Sequence, residues 1–209
     1  MTISVNVSPV GYTGADIAKV TFDNVSLGLL GNYSQDGANF NGNATVVQGV
    51  VFGFATPPFT DTTQYVTIGQ NGPNGNGEII TFDQPVTSVG FWWSSIDGGQ
   101  APQHADWINV VGIGNFPNVS NVFLGNDIPG VVANGAMFTW DSSRYVTFTS
   151  DTPFNMIYFG TTNTYNAAFE IDNVSWTTAI PEPATWLMLL IAFVGMAVAF
   201  RKKRKLVTS

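Results

Sequence analysis

The chain has no cysteine and a single histidine among its 209 residues. The first absence excludes a disulfide framework, a cysteine-based zinc site and a cysteine nucleophile; the second excludes a metal centre built from several histidines. Charged residues make up only 10% of the chain, against the ~25% typical of globular domains. The chain is nevertheless 44% hydrophobic and 13% aromatic, which is too apolar for a disordered protein.

Basic residues are almost absent from the first 180 positions. Only Lys19 and Arg144 occur there, with all of the acidic residues except Glu182. The other basic residues follow one another near the C-terminus: Arg201, Lys202, Lys203, Arg204 and Lys205. An acidic body argues against nucleic-acid binding, which requires a basic surface. The charge distribution therefore predicts two parts with different surroundings.

The segment before the basic cluster reads as a membrane span. Residues 184–200 carry no charge and are mostly apolar, and a helix of that length covers ~25 Å of a hydrocarbon core ~30 Å thick. Trp186 and Phe200 mark its two ends, and the basic residues that follow predict a stop-transfer signal with residues 201–209 in the cytoplasm. A buried core helix is the alternative, but a contiguous basic cluster does not fit it.

A linker over residues 177–183 contains Pro181-Glu182-Pro183. Two prolines in three residues exclude a strand and keep the segment extended, so that a processing enzyme can grip it. Together with the apolar run and the basic cluster, this motif resembles a PEP-CTERM sorting signal over about residues 181–205. The alternative is a plain tail anchor with a chance Pro-Glu-Pro.

The resemblance implies a substrate of exosortase, a membrane-embedded, cysteine transpeptidase-like enzyme of Gram-negative bacteria. The protein is then expected to pass through the inner membrane and to reach the cell surface or the medium after processing. Members of this family normally begin with a secretory signal peptide. Residues 1–7 have neither a basic start nor an apolar core, so we expect the true start to lie upstream of Met1, the other option being a different export route.

The body, residues 1–176, is predicted to be an all-β, jelly-roll-like sandwich. Apolar residues alternate with polar ones in short runs that Gly, Asn, Asp and Pro clusters separate, and no amphipathic helical pattern intervenes. Residues 71–77 and 151–153 are predicted turns. The candidate strands are residues 2–8, 17–22, 44–54, 63–69, 77–83, 86–94, 106–113, 120–124, 135–140, 144–150, 153–160 and 166–176.

The tetrapeptide Asp-Asn-Val-Ser occurs twice, at residues 23–26 and 172–175. In both copies the alternation of apolar and polar residues shifts by one position across the Asp-Asn pair. Such a shift indicates a bulge or bend in each strand. The repeat either is a coincidence or indicates that the first and last strands lie close together. Residues 169–174 also resemble the last strand of jelly-roll modules found in PEP-CTERM proteins and carbohydrate-binding modules.

The sequence offers little for catalysis. His104 could pair with Asp106, but no Gly-x-Ser-x-Gly elbow supplies a nucleophile. A glycosidase needs two facing carboxylates, and spacing selects no pair among the acidic residues Glu78, Asp97, Asp106, Asp141 and Glu170. We therefore expect a protein without enzymatic activity, and a glycan-active enzyme is the least favoured alternative.

Two binding sites are candidates. Trp92 and Trp107 are predicted to offer ring faces to a sugar, since Trp92 alternates with the core residues Phe91 and Trp93; the alternative is that these aromatics pack around the sheets. Asp23, Glu170 and Asp172 are predicted to hold a structural calcium ion if the first and last strands are neighbours. Otherwise the aspartates bond backbone NH groups at the two bulges.

The resulting prediction is an exported, non-enzymatic surface or extracellular-matrix protein associated with exopolysaccharide. A surface protein resembling a carbohydrate-binding module, using exposed Trp with Asn or Asp, is the second reading.

Overall fold

The structure is a computed structural model that describes residues 1–51, 55–69, 77–98, 106–112, 121–161, 168–179 and Phe193. Residues Met1–Thr178 and Ala179–Ser209 are two separate compact units. The Pro-Glu-Pro motif, the rest of the predicted membrane span and the basic tail lie outside the described residues. Within the parts of the chain that the structure describes, no helix is long and apolar enough to cross a membrane.

The first unit is all-β. A short 3-10 helix spans Gly125–Asp127. Its strands are β1 (Ile3–Val7), β2 (Gly28–Leu29), β3 (Tyr33–Gln35), β4 (Ala38–Gly42), β5 (Thr45–Gln48), β6 (Gln64–Gly69), β7 (Gly77–Ser94), β8 (Asp106–Gly112), β9 (Val122–Leu124), β10 (Arg144–Thr161) and β11 (Ala168–Thr178).

All the strands belong to one curled, antiparallel sheet. Its main path runs β2-β5-β6-β11-β7-β10-β8-β9, with β1 added to β10 and the β3–β4 hairpin added to β7. The sheet curls because β7 and β10, each of 18 residues, are shared by two halves. Residues 86–94 of β7 pair with β11 and with residues 144–149 of β10, whereas residues 78–82 pair with β4 and with residues 156–159 of β10.

The bend between the halves falls where a turn was predicted. At residues 151–153 the backbone stays extended, and the register of β10 against β7 shifts between Thr149 and Phe154 and again before Met156. The prediction of a turn was therefore wrong: the chain passes through a bulge, which bends a strand without ending it. Residues 77–83 and 86–94 are likewise one strand instead of two.

Aromatic side chains from both halves fill the space between them. Phe159, from the half that contains β8, lies 6.2 Å from Phe91 and 5.3 Å from Phe169, ring centre to ring centre, and all three are fully buried. Trp93 stacks on Phe169 at 4.5 Å. The body is thus sandwich-like in packing although its backbone hydrogen bonds form one sheet.

The repeated tetrapeptide marks two bends, as predicted, and of the two interpretations left open the structure favours nearness over coincidence. Val20 and Val174 form an antiparallel bridge with NH-to-carbonyl distances of 3.1 and 2.8 Å. Asn173 has φ of +51°, and the register of β11 against β7 shifts between Asp172 and Ser175. Phe22, beside the first copy, has φ of +60°. Residues 17–22 contribute this bridge only, and not the strand that was predicted.

Two further differences follow from weak local signals. Residues 135–140 form turns in place of a strand. Strands β2, β3 and β4 were not predicted, because the Gly and Asn residues of that region disfavour strands locally. Pairing with β5 and β7 creates these strands.

Replacing Phe159 with Ala should lower the free energy of unfolding by ~3–5 kcal/mol, because its ring joins the two halves and leaves a cavity when removed. Urea unfolding measures this change. Phe138→Ala is the matched control, since that ring is 55% exposed, and its effect should be several times smaller. Equal effects would contradict the role assigned to Phe159.

Candidate functional site

One face of the half that contains β8 points away from the core. Ile157 and Phe159 of β10 face the core, so the alternating residues Met156 and Tyr158 face outward. Cross-strand pairing places further residues on the same side. We call this surface the outer face; it consists of Asn39, Asn41, Ile79, Thr81, Trp107, Asn109, Val122, Leu124, Met156 and Tyr158.

An aromatic pair lies at the centre of the outer face. The rings of Trp107 and Tyr158 are 4.6 Å apart in an edge-to-face arrangement of 72°, and both are half-buried. Gly77 makes room for them, because a Cβ at that position would lie 2.4 Å from Cε2 of Tyr158. Val122 and Leu124 extend the apolar surface to the edge strand β9, where they are 40% and 38% exposed.

Uncharged amides border this pair. Asn109 lies opposite Tyr158, is 5% exposed, and its Oδ1 has no hydrogen-bond partner within the described structure. Asn41 is exposed, and Asn39 donates from Nδ2 to Oδ1 of Asp83 at 2.8 Å. None of the residues of the outer face is charged. The surface therefore offers flat rings beside hydrogen-bonding groups.

Of the two predicted sugar contacts, only Trp107 has an accessible ring. Trp92 does lie outside the main core cluster, opposite the fully buried Trp93, as the alternation indicated. It is nevertheless only 3% exposed, because Trp140 stacks on it at 6.1 Å and Phe59 contacts Trp140 in turn. The prediction that Trp92 presents its ring to a ligand was wrong, since a loop far away in sequence covers it.

A groove of about 690 Å³ lies elsewhere on the body and was not predicted. Leu27, Val50 and Phe138 supply exposed apolar side chains to its wall. Thr60 and Phe138, which also line it, have φ of +77° and +60°, unusual values for a β-branched and a bulky residue. No local sequence signal marks such backbone positions.

Several acidic side chains are buried, although acidic residues normally lie at the surface. Glu170 accepts hydrogen bonds from the Thr56 NH at 3.2 Å and from the Ser95 hydroxyl. Burial raises the pKa of Glu170 to about 8. Asp106 accepts from Trp93 Nε1 at 3.3 Å and from the Asp97 NH at 3.1 Å, and burial raises its pKa well above the usual range. His104, its predicted partner, lies outside the described residues.

The structure brings Asp172 together with Asp61 and Asp23. Asp172 is 2% exposed, and burial first and the charge of Asp61 second raise its pKa to about 9. Oδ1 of Asp172 and Oδ2 of Asp61 are buried without a partner among the described residues, and two carboxyl groups can hydrogen-bond to each other only when one of them holds a proton. Asp23 accepts from the Gln64 NH at 3.3 Å, which agrees with the alternative that this aspartate bonds backbone NH groups.

The predicted calcium site requires the carboxylate of Glu170 to lie beside Asp23 and Asp172. The carboxylate of Glu170 is instead engaged by Ser95 and Thr56, and its electrostatic neighbour is Asp97. Across the described ranges, no group of three or more His, Cys, Asp or Glu residues is arranged to hold a metal ion.

Comparison with known proteins identifies the C-terminal segment. Residues 179–205 match the PEP-CTERM protein-sorting motif. No curated protein matches the chain. Among solved structures, the chain is similar to a glycoside hydrolase family 43 arabinoxylan arabinofuranohydrolase from Bacillus subtilis, at 11% identity and a TM-score of 0.30. That match covers 65% of this chain and 24% of the enzyme, so the chain spans about a quarter of its length.

Stability should fall as the pH rises from 5 to 9.5. Burial raises the pKa of Glu78 to about 7, of Glu170 to about 8 and of Asp172 to about 9. The folded state therefore keeps protons that the unfolded chain has already lost, and this contribution to stability disappears as the pH passes through those values. Urea unfolding across the pH range measures it; a rising or flat profile would contradict it.

Asp172→Asn isolates one of these groups. The amide keeps a donor toward Asp61 without a titrating proton, so the variant should be more stable than the parent at pH 9 and show a weaker pH dependence. Asp141→Asn, at an exposed position, is the control and should keep the parental profile. If both variants follow the parent, the proton does not reside on the Asp172–Asp61 pair.

Proposed function

Because the chain carries a PEP-CTERM protein-sorting motif, we propose that residues 1–178 are the non-enzymatic cargo domain of an exosortase-processed surface protein. The match at residues 179–205 is the observation that carries this proposal. The motif implies a protein that is first membrane-anchored and then exported, with exosortase as the processing enzyme.

In this proposal residues 184–200 span the inner membrane. Their uncharged, apolar composition suits the hydrocarbon core, and the cluster from Arg201 to Lys205 resists translocation, since each Lys or Arg costs ~2.5–3.5 kcal/mol at the bilayer centre. The C-terminus then stays in the cytoplasm and the β domain outside. Trp186 anchors the outer end, and Pro181-Glu182-Pro183 stands within reach of a membrane-embedded peptidase.

For the exported domain we propose a role in an extracellular matrix, in association with exopolysaccharide. The domain carries a large acidic excess and no cysteine, which suits a soluble surface protein independent of redox conditions. Glu170, Asp106 and Asp172 are buried and engaged within the domain. These carboxyl groups support a structural role more readily than a catalytic one.

A surface protein resembling a carbohydrate-binding module is the second candidate. The outer face favours it, because Trp107 and Tyr158 stand outward beside Asn109 and Asn41. Outward-facing sheet positions are normally polar, and an exposed apolar cluster with a polar border marks an interaction surface.

Replacing Pro181, Glu182 and Pro183 with Ala should block processing in a host that has exosortase. The full-length precursor should then accumulate in the inner membrane, because the peptidase loses the extended motif it grips. Immunoblotting of membrane, surface and medium fractions measures the distribution. Replacing the exposed Thr177 and Thr178 with Ala is the control and should leave processing unchanged.

Mass spectrometry of the mature surface fraction tests whether the C-terminal segment is removed, and it can contradict the processing proposal. A peptide running intact from the end of the β domain through Trp186 to Arg201 in that fraction would show that the segment is retained, and the protein would then be a simple tail-anchored protein.

A further inference from the structure

We propose that the outer face is a binding platform for a neutral polysaccharide, with Trp107 and Tyr158 as the stacking residues and the exposed Asn41 as the hydrogen-bonding residue. This inference deepens the carbohydrate-binding candidate above and does not depend on the sorting step.

The register of the sheet builds the platform. Asn41, Ile79, Tyr158, Asn109 and Val122 lie directly opposite one another on β4, β7, β10, β8 and β9. Five neighbouring strands span ~19 Å at the usual spacing. Trp107 lies two residues before Asn109 and so faces the same way. A row of this length suits an oligosaccharide chain better than a single sugar.

The chemistry of the row suits pyranose rings. An aromatic ring carries a negative face, against which the axial CH groups of a sugar pack, and amides exchange hydrogen bonds with hydroxyl groups. Asn109 is only 5% exposed, and its Oδ1 is shielded from solvent without a partner in the described structure, so it is not the atom that a ligand contacts. Asn41 lies in the same row and is exposed, so its amide can exchange hydrogen bonds with a ligand hydroxyl.

Electrostatics selects a neutral chain over a uronate polymer. Residues 1–180 contain two basic residues only. Arg144 is 7% exposed, and Lys19 lies over the ring of Trp176 at 4.5 Å, in the half of the sheet that does not carry the outer face. Asp83, bonded to Asn39, adds a negative charge at the border of the platform. A polyanion would therefore be repelled, whereas a neutral chain would not.

The test is affinity electrophoresis of the full chain in a polyoxyethylene detergent, which carries no sugar. The gels contain β-1,4-glucan, xylan or galactomannan as neutral probes, and alginate or polygalacturonate as uronate probes. At least one neutral probe should retard the protein, and neither uronate probe should. Absence of retardation by every neutral probe, or equal retardation by the uronates, overturns the proposal.

Variants then locate the site. Trp107→Ala and Tyr158→Ala should weaken binding at least about ten-fold, as expected for a central aromatic contact, with melting temperatures within ~4 °C of the parent. Phe138→Ala removes an aromatic ring from the separate groove that is 55% exposed, more than either ring of the platform, and should bind like the parent. Retention by both alanine variants, or loss in Phe138→Ala, overturns the assignment.

A further variant guards against misfolding of the alanine variants. Leu124 lies opposite Trp107 on the edge strand and is 38% exposed, so Leu124→Arg places a guanidinium that can cover the indole without touching the core. It should also abolish binding. The alternative occupant of this face is a second copy of the chain, and sedimentation of the parent tests for it. A concentration-dependent dimer that Leu124→Arg dissociates would make this surface an interface between copies and overturn the proposal. Normal processing of the Pro-Glu-Pro variant would contradict the sorting proposal but would leave this binding result unchanged.

Discussion

The continuity of β7 and β10 through both halves of the sheet is the constraint on which the rest of the structure depends. Each strand pairs on one side of its bend with one set of neighbours and on the other side with a different set. The bulge near residues 151–153 folds the halves over each other, so that Phe159 meets Phe91 and Phe169. Without that fold neither half would have a covered apolar face.

The near absence of basic residues shapes the interior. Buried carboxylates are normally paired with cations, but the body has only Lys19 and Arg144 to offer. Burial and the charge of Asp61 raise the pKa of Asp172, and Glu170 relies on the Ser95 hydroxyl and the Thr56 NH. Proton retention thus takes the place of ion pairing, and it links the stability of the domain to the pH of its surroundings.

Sorting and folding place different demands on the chain. The C-terminal segment works through its covalent sequence and its polarity: two prolines, an apolar run and a basic cluster, in order. The β domain works through three-dimensional placement, as the outer face shows. Tyr158 can take its place beside Trp107 only because Gly77 on the next strand has no side chain. Cargo and signal can therefore vary independently.

Local pattern and composition were enough to predict the all-β class, the positions of most strands and the sorting motif, but they divided β7 and β10 in two and left open whether the two Asp-Asn-Val-Ser copies are near each other. Each of these depends on neighbours in sequence: alternation, Gly and Pro positions, runs of charge. The short strands β2–β4 could not be predicted, because pairing with distant strands creates them.

The predicted binding residues show the same difference between what local sequence and what tertiary packing determine. Alternation correctly placed Trp93 in the core and Trp92 on the opposite side, but only tertiary packing brings Trp140 over Trp92 and leaves Trp107 accessible. In the same way, Asp61 meets Asp172 although 110 positions separate them in the chain. The sequence by itself determined which residues have the chemistry to form a site. The fold decided which of them come into contact, because burial and contact depend on segments far apart in the chain.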